Sequence, residues 1–551
     1  MTIRSLSQID ASRSVETDVC IIGAGMAGLF LAQQLCALGI RVVVVESGRK
    51  LSDGDAAELN EICDDYGRYK WPVTGRMRGP GGSSAVWGGK MIPLTPGDLE
   101  ERAHLQVPKW PISHSELLEG LRDVEAFFRL DRGSYENDSP QHSRTGYEFP
   151  RHDKDFSVRW AKWAGFRRGN VWTILKTQLH RLPNLDLWLD ATVCGFTADT
   201  LAGRVSTAIC RDQSETKLAV SARHFVVAAG TIESTRLLLL LDEMHDDRIF
   251  QGCNALGHYF QDHLDAQVGR LVPIDASAVN KLFGTRYFRL HRRSPHLELT
   301  HAAQRAEGVA SAFVHVTSDV SQNPTLASIK QIARALETQD YRALPAKIRH
   351  SEINPRLLGE FLIWRGWRHT LLVPGDVDLN LRVCIEQSPR WDNRIKLAQE
   401  RDRLGARKVA LKWLPSEADE RTFRVSIDRF ANFWRRNGFD KICRIDWAEA
   451  TRGGSASSIL DIAQDYAHPS GTTRMGLSRA EAVVGPDLVC HLVSNLSVVS
   501  ASCFPSAGSS NPTLTIMLLA CRATRAIARS VQTSLAMASA PAIKMSGAAN
   551  V

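Results

Sequence analysis

The sequence predicts an α/β protein in which a discontinuous Rossmann-like unit is assembled from separated stretches of chain, with a second domain filling the gaps. Three observations lead there. A strand, glycine turn, helix and second strand succeed one another between about Thr17 and Pro93. Two further stretches of similar character follow, at about Leu185–His263 and Tyr466–Arg529. The segments between them are richer in Trp, Arg and charge.

The opening unit can be read residue by residue. Val19–Ile22 is a short apolar run, as a strand buried on both faces requires. The turn Gly23-Ala24-Gly25-Met26-Ala27-Gly28 follows at once. A helix comes next, apolar at Leu29, Ala32, Leu35, Cys36 and Leu38 and halted at Gly39. A second buried strand, Val42–Val45, ends at Glu46. Gly23 permits the tight turn, Gly25 lets backbone approach a pyrophosphate, and Gly28 lets helix and strand pack closely. The helix N-terminus then offers free N–H groups to phosphate. Glu46, eighteen residues beyond Gly28, is placed to accept hydrogen bonds from a ribose diol. The motif does not separate NAD from FAD.

A second glycine-rich loop, RMRGPGGSSAVWGG, spans 76–89, with five glycines in residues 79–89. So few side chains imply that backbone passes close to a ligand, and a planar flavin with its ribityl phosphate meets that need. Arg78, Gly82, Ser83, Trp87 and Gly88 are the candidate contacts. Farther on, Phe225–Ala229 reads as another buried strand, with a turn at 230–234 into a helix over Thr235–Leu241.

These residues resemble the glucose–methanol–choline oxidoreductase family, and the resemblance runs through most of the chain. It rests on GAGMAGL, the RGPGGSSAVWGG loop, VVAAGTIESTRLLL at 226–239, LGHYFQDH at 256–263, EQSPRWDNRIKL at 386–397, AHPSGTTRMG at 467–476 and FPSAGSSNPTLTIMLLACR at 504–522. The glycine loop with Trp87 and the SSNPTLT ending look closest to the sugar-oxidising branch of pyranose oxidases and bacterial sugar dehydrogenases.

The resemblance implies bound FAD, a Rossmann-like FAD-binding domain, and an α+β substrate domain built on an antiparallel sheet. It divides the chain into an FAD-binding domain of 1–100, 185–265 and 465–532 and a substrate domain of 101–184 and 266–464. It also implies that the backbone of Val193, in a strand-like Leu187–Phe196, meets the adenine. Ala229 would lie by the pyrophosphate, and Ala501, Asn511, Pro512 and Thr513 against the cofactor. Several family members tie the flavin covalently to a loop histidine. The matching position here is Val86, which cannot form that bond, so the FAD is expected to dissociate. Two departures bear on the flavin contacts. Val483-Val484 is followed by Gly485-Pro486-Asp487 where the family commonly has Asp, and Ser500-Ala501 replaces a Gly or Asp.

Oxidising an alcohol with a flavin requires a base for the hydroxyl proton and a hydride acceptor for the carbinol hydrogen. A neutral imidazole suits the first task near pH 7. His468, in Ala467-His-Pro-Ser-Gly-Thr-Thr-Arg-Met-Gly476, stands alone as a turn residue before Pro, but it matches the family's catalytic histidine in HxxGT. Asn511 before Pro512 has the look of a helix cap. The family has His or Asn there, facing the substrate oxygen. Asn is no base, but it can donate to a developing alkoxide and orient the alcohol. Pro512 suits the first turn of a final helix over Thr513 to about Ala528, whose positive end could steady an anionic reduced flavin. The Ala- and Ser-rich tail at 533–551 has little to bury and is expected to be disordered.

The substrate side is less explicit. Residues 156–172 (FSVRWAKWAGFRRGNVW) and 360–369 (EFLIWRGWRH) offer Trp faces and Arg donors that suit a sugar, or simply a packed domain seam. Residues 320–356 read as helical and basic. His258 and His263 are expected to be structural.

The net charge of +8 over 551 residues is mild, and no nucleic-acid motif or long basic block appears. No apolar run approaches the roughly 18 residues of a membrane span, and Met1–Thr17 has no signal-peptide core. Eleven scattered cysteines without C-x-x-C fit reduced thiols in a cytoplasmic protein and give no zinc spacing. The expected partners are a small, sugar-like alcohol and an electron acceptor, either O2 or a separate redox protein.

Overall fold

A computed structural model of the protein describes all residues except 1, 10, 51–53, 72, 74, 138–147, 166–167, 289–290, 319–322, 338–340, 375–376, 453–456 and 540–551. Two large sheets organise it. In the first, strands Thr2–Ser5, Leu185–Leu189, Val42–Val45, Arg13–Ile22 and Lys217–Val227 lie side by side and parallel. Leu496–Val498 adds a further parallel partner to Lys217–Val227. Arg204–Arg211 and Thr192–Asp199 continue this sheet as antiparallel strands. Val19–Ile22 and Val42–Val45 are buried throughout, as a parallel sheet covered on both faces demands. The helix Met26–Ala37 packs on this sheet and against the final helix.

The second sheet is antiparallel, as expected. Its order is Cys443–Trp447, His263–Pro273, Leu379–Glu386, Ala312–Ser318, His291–Leu299, Phe156–Trp163 and Lys90–Met91. Alternation sorts its two faces. Leu264, Ala266 and Val268, Ala312 and Val314, and Leu381, Val383 and Ile385 share one apolar cluster with Phe423, Ile427, Phe430 and Phe433 of the helix Glu417–Arg436. The opposite face is mostly polar, with His263 and Asp265, His315 and Thr317, Arg382 and Glu386, and carries Phe313 and Cys384 among them. Two pieces of the first hundred residues join strands from the 266–464 stretch or its sheet. Lys90–Met91 pairs with Phe156–Trp163, and Ile62–Asp64 pairs with Arg407–Lys412.

Four local readings are corrected. The expected turn at 230–234 is the first turn of the helix Gly230–Glu243, which the chain enters at Gly230 with φ +75°. The expected single strand over 187–196 is two, Leu185–Leu189 and Thr192–Asp199, because the chain turns at Asp190 with φ +55°. The final helix begins at Pro512 but continues to Ser539, well past Ala528. Residues 533–539 of the expected disordered tail are therefore helical; Leu535 and Ala536 are good helix formers that continue the helix without needing burial, and 540–551 lie outside the described residues. The 360–369 stretch belongs to the helix Pro355–Gly366 and the residues after it. That helix buries none of its residues, and Trp367 is 85% exposed. Residues 320–356 are helical at Pro324–Glu337 and Leu344–Arg349, with 320–322 and 338–340 outside the described residues.

Candidate active site

A cavity of about 890 Å³ lies between the C-terminal ends of the parallel strands and the polar face of the antiparallel sheet. Of the residues singled out in the sequence, Gly23, Gly25, Glu46, Arg78, Gly82, Ser83, Trp87, Gly88, Val193, Ala229, Ala501, His468, Asn511, Pro512 and Thr513 all line it. Gly28 does not. It packs beneath the turn, where a Cβ would fall 1.9 Å from the Gly23 carbonyl oxygen. The two glycine loops touch each other: Gly82 has φ +52°, and a Cβ there would come within 3.0 Å of the Gly25 Cα.

Glu46 does more than its spacing implied. Its Oε2 accepts the Ala24 N–H at 2.8 Å, and its Oε1 accepts the N–H groups of Gly48 at 3.0 Å and Gly79 at 2.8 Å. One carboxylate thus ties the first glycine turn, the end of its strand and the second glycine loop together. A carboxylate has about four acceptor sites, so one stays open for a ribose hydroxyl. Arg78 is likewise spent on the protein. Its guanidinium donates to Asn60 Oδ1, Ser47 Oγ, the Leu59 carbonyl and Glu233. These bonds use four of its five N–H donors and leave one, on Nη1. Trp87 donates its Nε1–H to the Gly169 carbonyl at 2.8 Å, which fixes the indole against the cavity.

The cavity suits a dinucleotide on three counts. No side chain caps the first turn of Met26–Ala37, leaving its N–H groups to a phosphate. A Cβ on Gly25 would meet only the Ala228 carbonyl oxygen, at 3.9 Å, so open space surrounds it. Asn511 Oδ1 is buried without a hydrogen-bond partner, an acceptor that a bound molecule would satisfy.

At the far end stands His468. Its backbone N–H donates to the Asp262 carboxylate, and its ring Nδ1 lies 2.8 Å from Nδ1 of His263. His263 Nε2 lies 2.7 Å from the Gly508 carbonyl. A carbonyl only accepts, so His263 carries its proton on Nε2. In neutral His263 the Nδ1 is then a lone pair, and His468 must donate to it from its own Nδ1. Nε2 of His468 is left unprotonated. Burial, the His263 ring and the Lys90 charge push His468 well below the ordinary imidazole range, and burial also lowers His263. Both rings are neutral near pH 7.

Gly508 is itself held. Glu386 Oε1 accepts the N–H groups of Ala507 at 3.1 Å and Gly508 at 2.9 Å, and Arg102 pairs with the same carboxylate. Burial opposes the charge on Glu386, but Arg102 brings it down to about 2. This pair fixes the loop that leads into Asn511. His263, Glu386 and Arg102 were not picked out in the sequence as parts of the site; LGHYFQDH and EQSPRWDNRIKL contain two of them. His258 does not line the cavity and is stacked on Trp391 at 4.0 Å.

The polar sheet face closes this end with Lys90, Trp163, Asp265, His315, Thr317 and Arg382. Asp265 is paired with Arg382 and accepts from His315 Nε2 at 2.9 Å. From the 156–172 stretch, Trp163 reaches the cavity, whereas Trp160 is buried beneath the Arg286 guanidinium. Phe166 and Arg167 lie outside the described residues. The 360–369 stretch does not line the cavity.

Fold and site together define an FAD-dependent oxidoreductase acting on alcohols. A family model described as GMC oxidoreductase matches residues 389–520, and one described as FAD binding domain matches 16–61. Paromamine 6'-oxidase of Streptomyces fradiae is 24% identical, over 93% of this chain and 91% of that protein. The 6'''-hydroxyparomomycin C oxidase of Streptomyces lividus is also 24% identical, with the same coverages. The fold matches that of pyridoxine 4-oxidase from Mesorbium loti with a TM-score of 0.57 at 16% identity, over 93% of this chain and 99% of that one. The GMC oxidoreductase match covers the stretch that carries His468 and Asn511. No helix among the described residues is long and apolar enough to cross a membrane.

Proposed function

We propose that the protein oxidises a hydroxyl group on a sugar or a similarly polar alcohol, with His468 as the base. The hydrogen-bond chain from Gly508 through His263 carries this reading, because it leaves His468 Nε2 as a lone pair on a residue lining the cavity. When bound, FAD supplies the hydride acceptor. The alcohol O–H donates its proton to His468 Nε2, while the Asn511 amide holds the same oxygen and stabilises its growing negative charge. The polar sheet face supports a substrate rich in hydroxyls. So do the relatives, whose names describe oxidation of paromamine and of 6'''-hydroxyparomomycin C. Pro512 and Thr513 put the start of the final helix at the cavity, where its positive end favours negative charge. Val86, half exposed on the cavity wall, has no atom able to bond covalently to a flavin, so the cofactor is held without a covalent link. The electron acceptor is O2 or a separate redox partner, and the protein works in the cytoplasm.

The test is anaerobic absorbance of the holoprotein mixed with sugars, glycosides and simple alcohols. A sugar that bleaches the flavin of the wild type, and does so far more slowly with His468→Ala, supports the reading. Bleaching that is equally fast in the variant removes His468 as the base, and bleaching only by apolar alcohols removes the substrate class.

A further inference from the structure

The charges on the polar sheet face nearly cancel. Three carboxylates and three guanidinium groups pair off: Asp265 with Arg382, Glu298 with Arg159, and Glu386 with Arg102. His315 donates to Asp265, and His263 and His468 are the neutral pair described above. Two cations remain, Lys90 and Arg292; the Arg292 guanidinium lies over the Trp163 ring, and of the two only Lys90 lines the cavity. Its Nζ donates to Nδ1 of His296 at 2.9 Å and forms no ion pair among the described residues. His296 cannot supply a countercharge. It is fully buried and held neutral, its imidazole pushed down to about 3, and its Nε2 lies 3.2 Å from the already paired Glu298. The nearest additional stabilisation is the Phe313 ring, 4.9 Å from Nζ.

An ammonium has three N–H donors, and one is used here. A cation on the wall of a partly closed cavity, with donors to spare and no carboxylate of its own, is a site for an anion carried in by the ligand. It lies on the same wall as Trp163 and Arg382, and its charge is felt at His468. Resting on the alcohol-oxidation reading above, we propose that the substrate is a hydroxylated compound bearing a carboxylate, such as a sugar acid or hydroxy acid, and that Lys90 receives that carboxylate while His468 engages the hydroxyl. Arg382, whose side chain is 23% exposed beside Asp265, provides a second donor at the edge of the same subsite. The neighbouring paired carboxylates reject a second negative charge, so one carboxylate is the expected load.

The experiment uses FAD-loaded protein and two pairs of compounds that differ by a carboxylate: glucuronate against glucose, and lactate against 1,2-propanediol. Binding is read from the rise in thermal midpoint with ligand concentration, and turnover from anaerobic flavin bleaching, at pH 7. The wild type is expected to bind the carboxylate member of at least one pair at least tenfold more tightly. In Lys90→Met that ratio should fall by at least tenfold, and in Lys90→Arg it should stay within about threefold of wild type. Because the methionine variant can be checked for flavin content and the arginine variant keeps the charge, loss of fold is distinguishable from loss of recognition. The proposal is overturned if the wild type binds the neutral members as tightly, or if Lys90→Met leaves the ratio unchanged. If the proposal is overturned in this way while neutral sugars bleach the flavin in a His468-dependent manner, only the assignment of Lys90 falls. If no alcohol does, the oxidation reading falls as well.

Discussion

The Nδ1 atoms of His468 and His263 lie 2.8 Å apart, and the two rings meet edge to face at 80°. Among the described residues nothing else fixes the His468 tautomer, so His263 is a positioning residue for the proposed base. His263→Leu is expected to slow flavin reduction by roughly 100-fold, within the range a well-placed base contributes, with less than threefold change in substrate affinity. His263→Asn keeps an acceptor for His468 and a donor for Gly508, and should recover much of that loss. Because the His263 ring helps depress His468, its removal should also shift the acid limb of the pH–rate profile upward. A leucine variant as fast as wild type would remove the relay.

Glu46 gives a second test, in which structure and cofactor affinity separate. A hydrogen bond to a charged group contributes about 1.5–3 kcal/mol, and Glu46 makes three to backbone. Glu46→Gln retains one acceptor oxygen and should weaken FAD binding by about tenfold or more, and Glu46→Ala by more still. Equilibrium dialysis of the apoprotein against FAD measures both. Equal affinities in all three proteins would mean that the clamp does not shape the site.

How far the sequence reached depends on whether a feature is local. Both glycine loops are contiguous, and their residues came together on one cavity because each loop needs only its own backbone. His468 and Asn511 were legible only through the resemblance; a histidine before proline carries no chemistry by itself. Lys90, Asp265, His315 and Arg382 come from four strands spread over nearly 300 residues. The alternation was present in the sequence, as in His263-Leu264-Asp265-Ala266. Without the register, however, nothing says that the polar face, and not the apolar one, fronts the cavity. The Trp-rich stretches misled in part for the same reason: in a strand, Trp163 and Trp160 point to opposite faces.

The Arg102–Glu386 pair joins stability to the site. Removing one member of a buried ion pair typically costs about 3–5 kcal/mol, so Arg102→Met should lower the urea midpoint markedly at pH 7 and loosen the Gly508 loop. Glu386 is held at about 2 against an ordinary 4.5. A carboxylate depressed in the folded state contributes stability that is complete above its unfolded value and is lost as pH falls toward its folded value. The gap between wild type and variant should therefore narrow between about pH 4.5 and 2. A gap that stays constant would show that the pair does not titrate as its surroundings imply.

Val86 makes the mode of flavin attachment directly measurable. Precipitating the holoprotein with acid and spinning it down should leave all the yellow colour in the supernatant, since valine offers no nucleophile. Flavin retained in the pellet would require a covalent link to another residue lining the cavity.

Lys90 and His468 set opposing limbs in the pH dependence. The base form of His468 is present above its depressed value, so activity should hold down to below about 6.5, the ordinary imidazole figure. Burial brings Lys90 down to about 8. It is charged below that value and loses its charge as pH rises through it, so recognition of a carboxylate is complete in mildly acidic and neutral solution and fades above about pH 8. The ratio kcat/KM reports the free enzyme. For a carboxylate-bearing substrate it should be level across neutral pH and fall in the alkaline range. For the neutral partner compound no fall from this cause is expected. Lys90→Arg, whose guanidinium stays charged throughout, should remove the alkaline fall for the acid. An alkaline limb identical for both compounds in the wild type, or one that persists unchanged in Lys90→Arg, would assign it to a different group and separate Lys90 from substrate recognition.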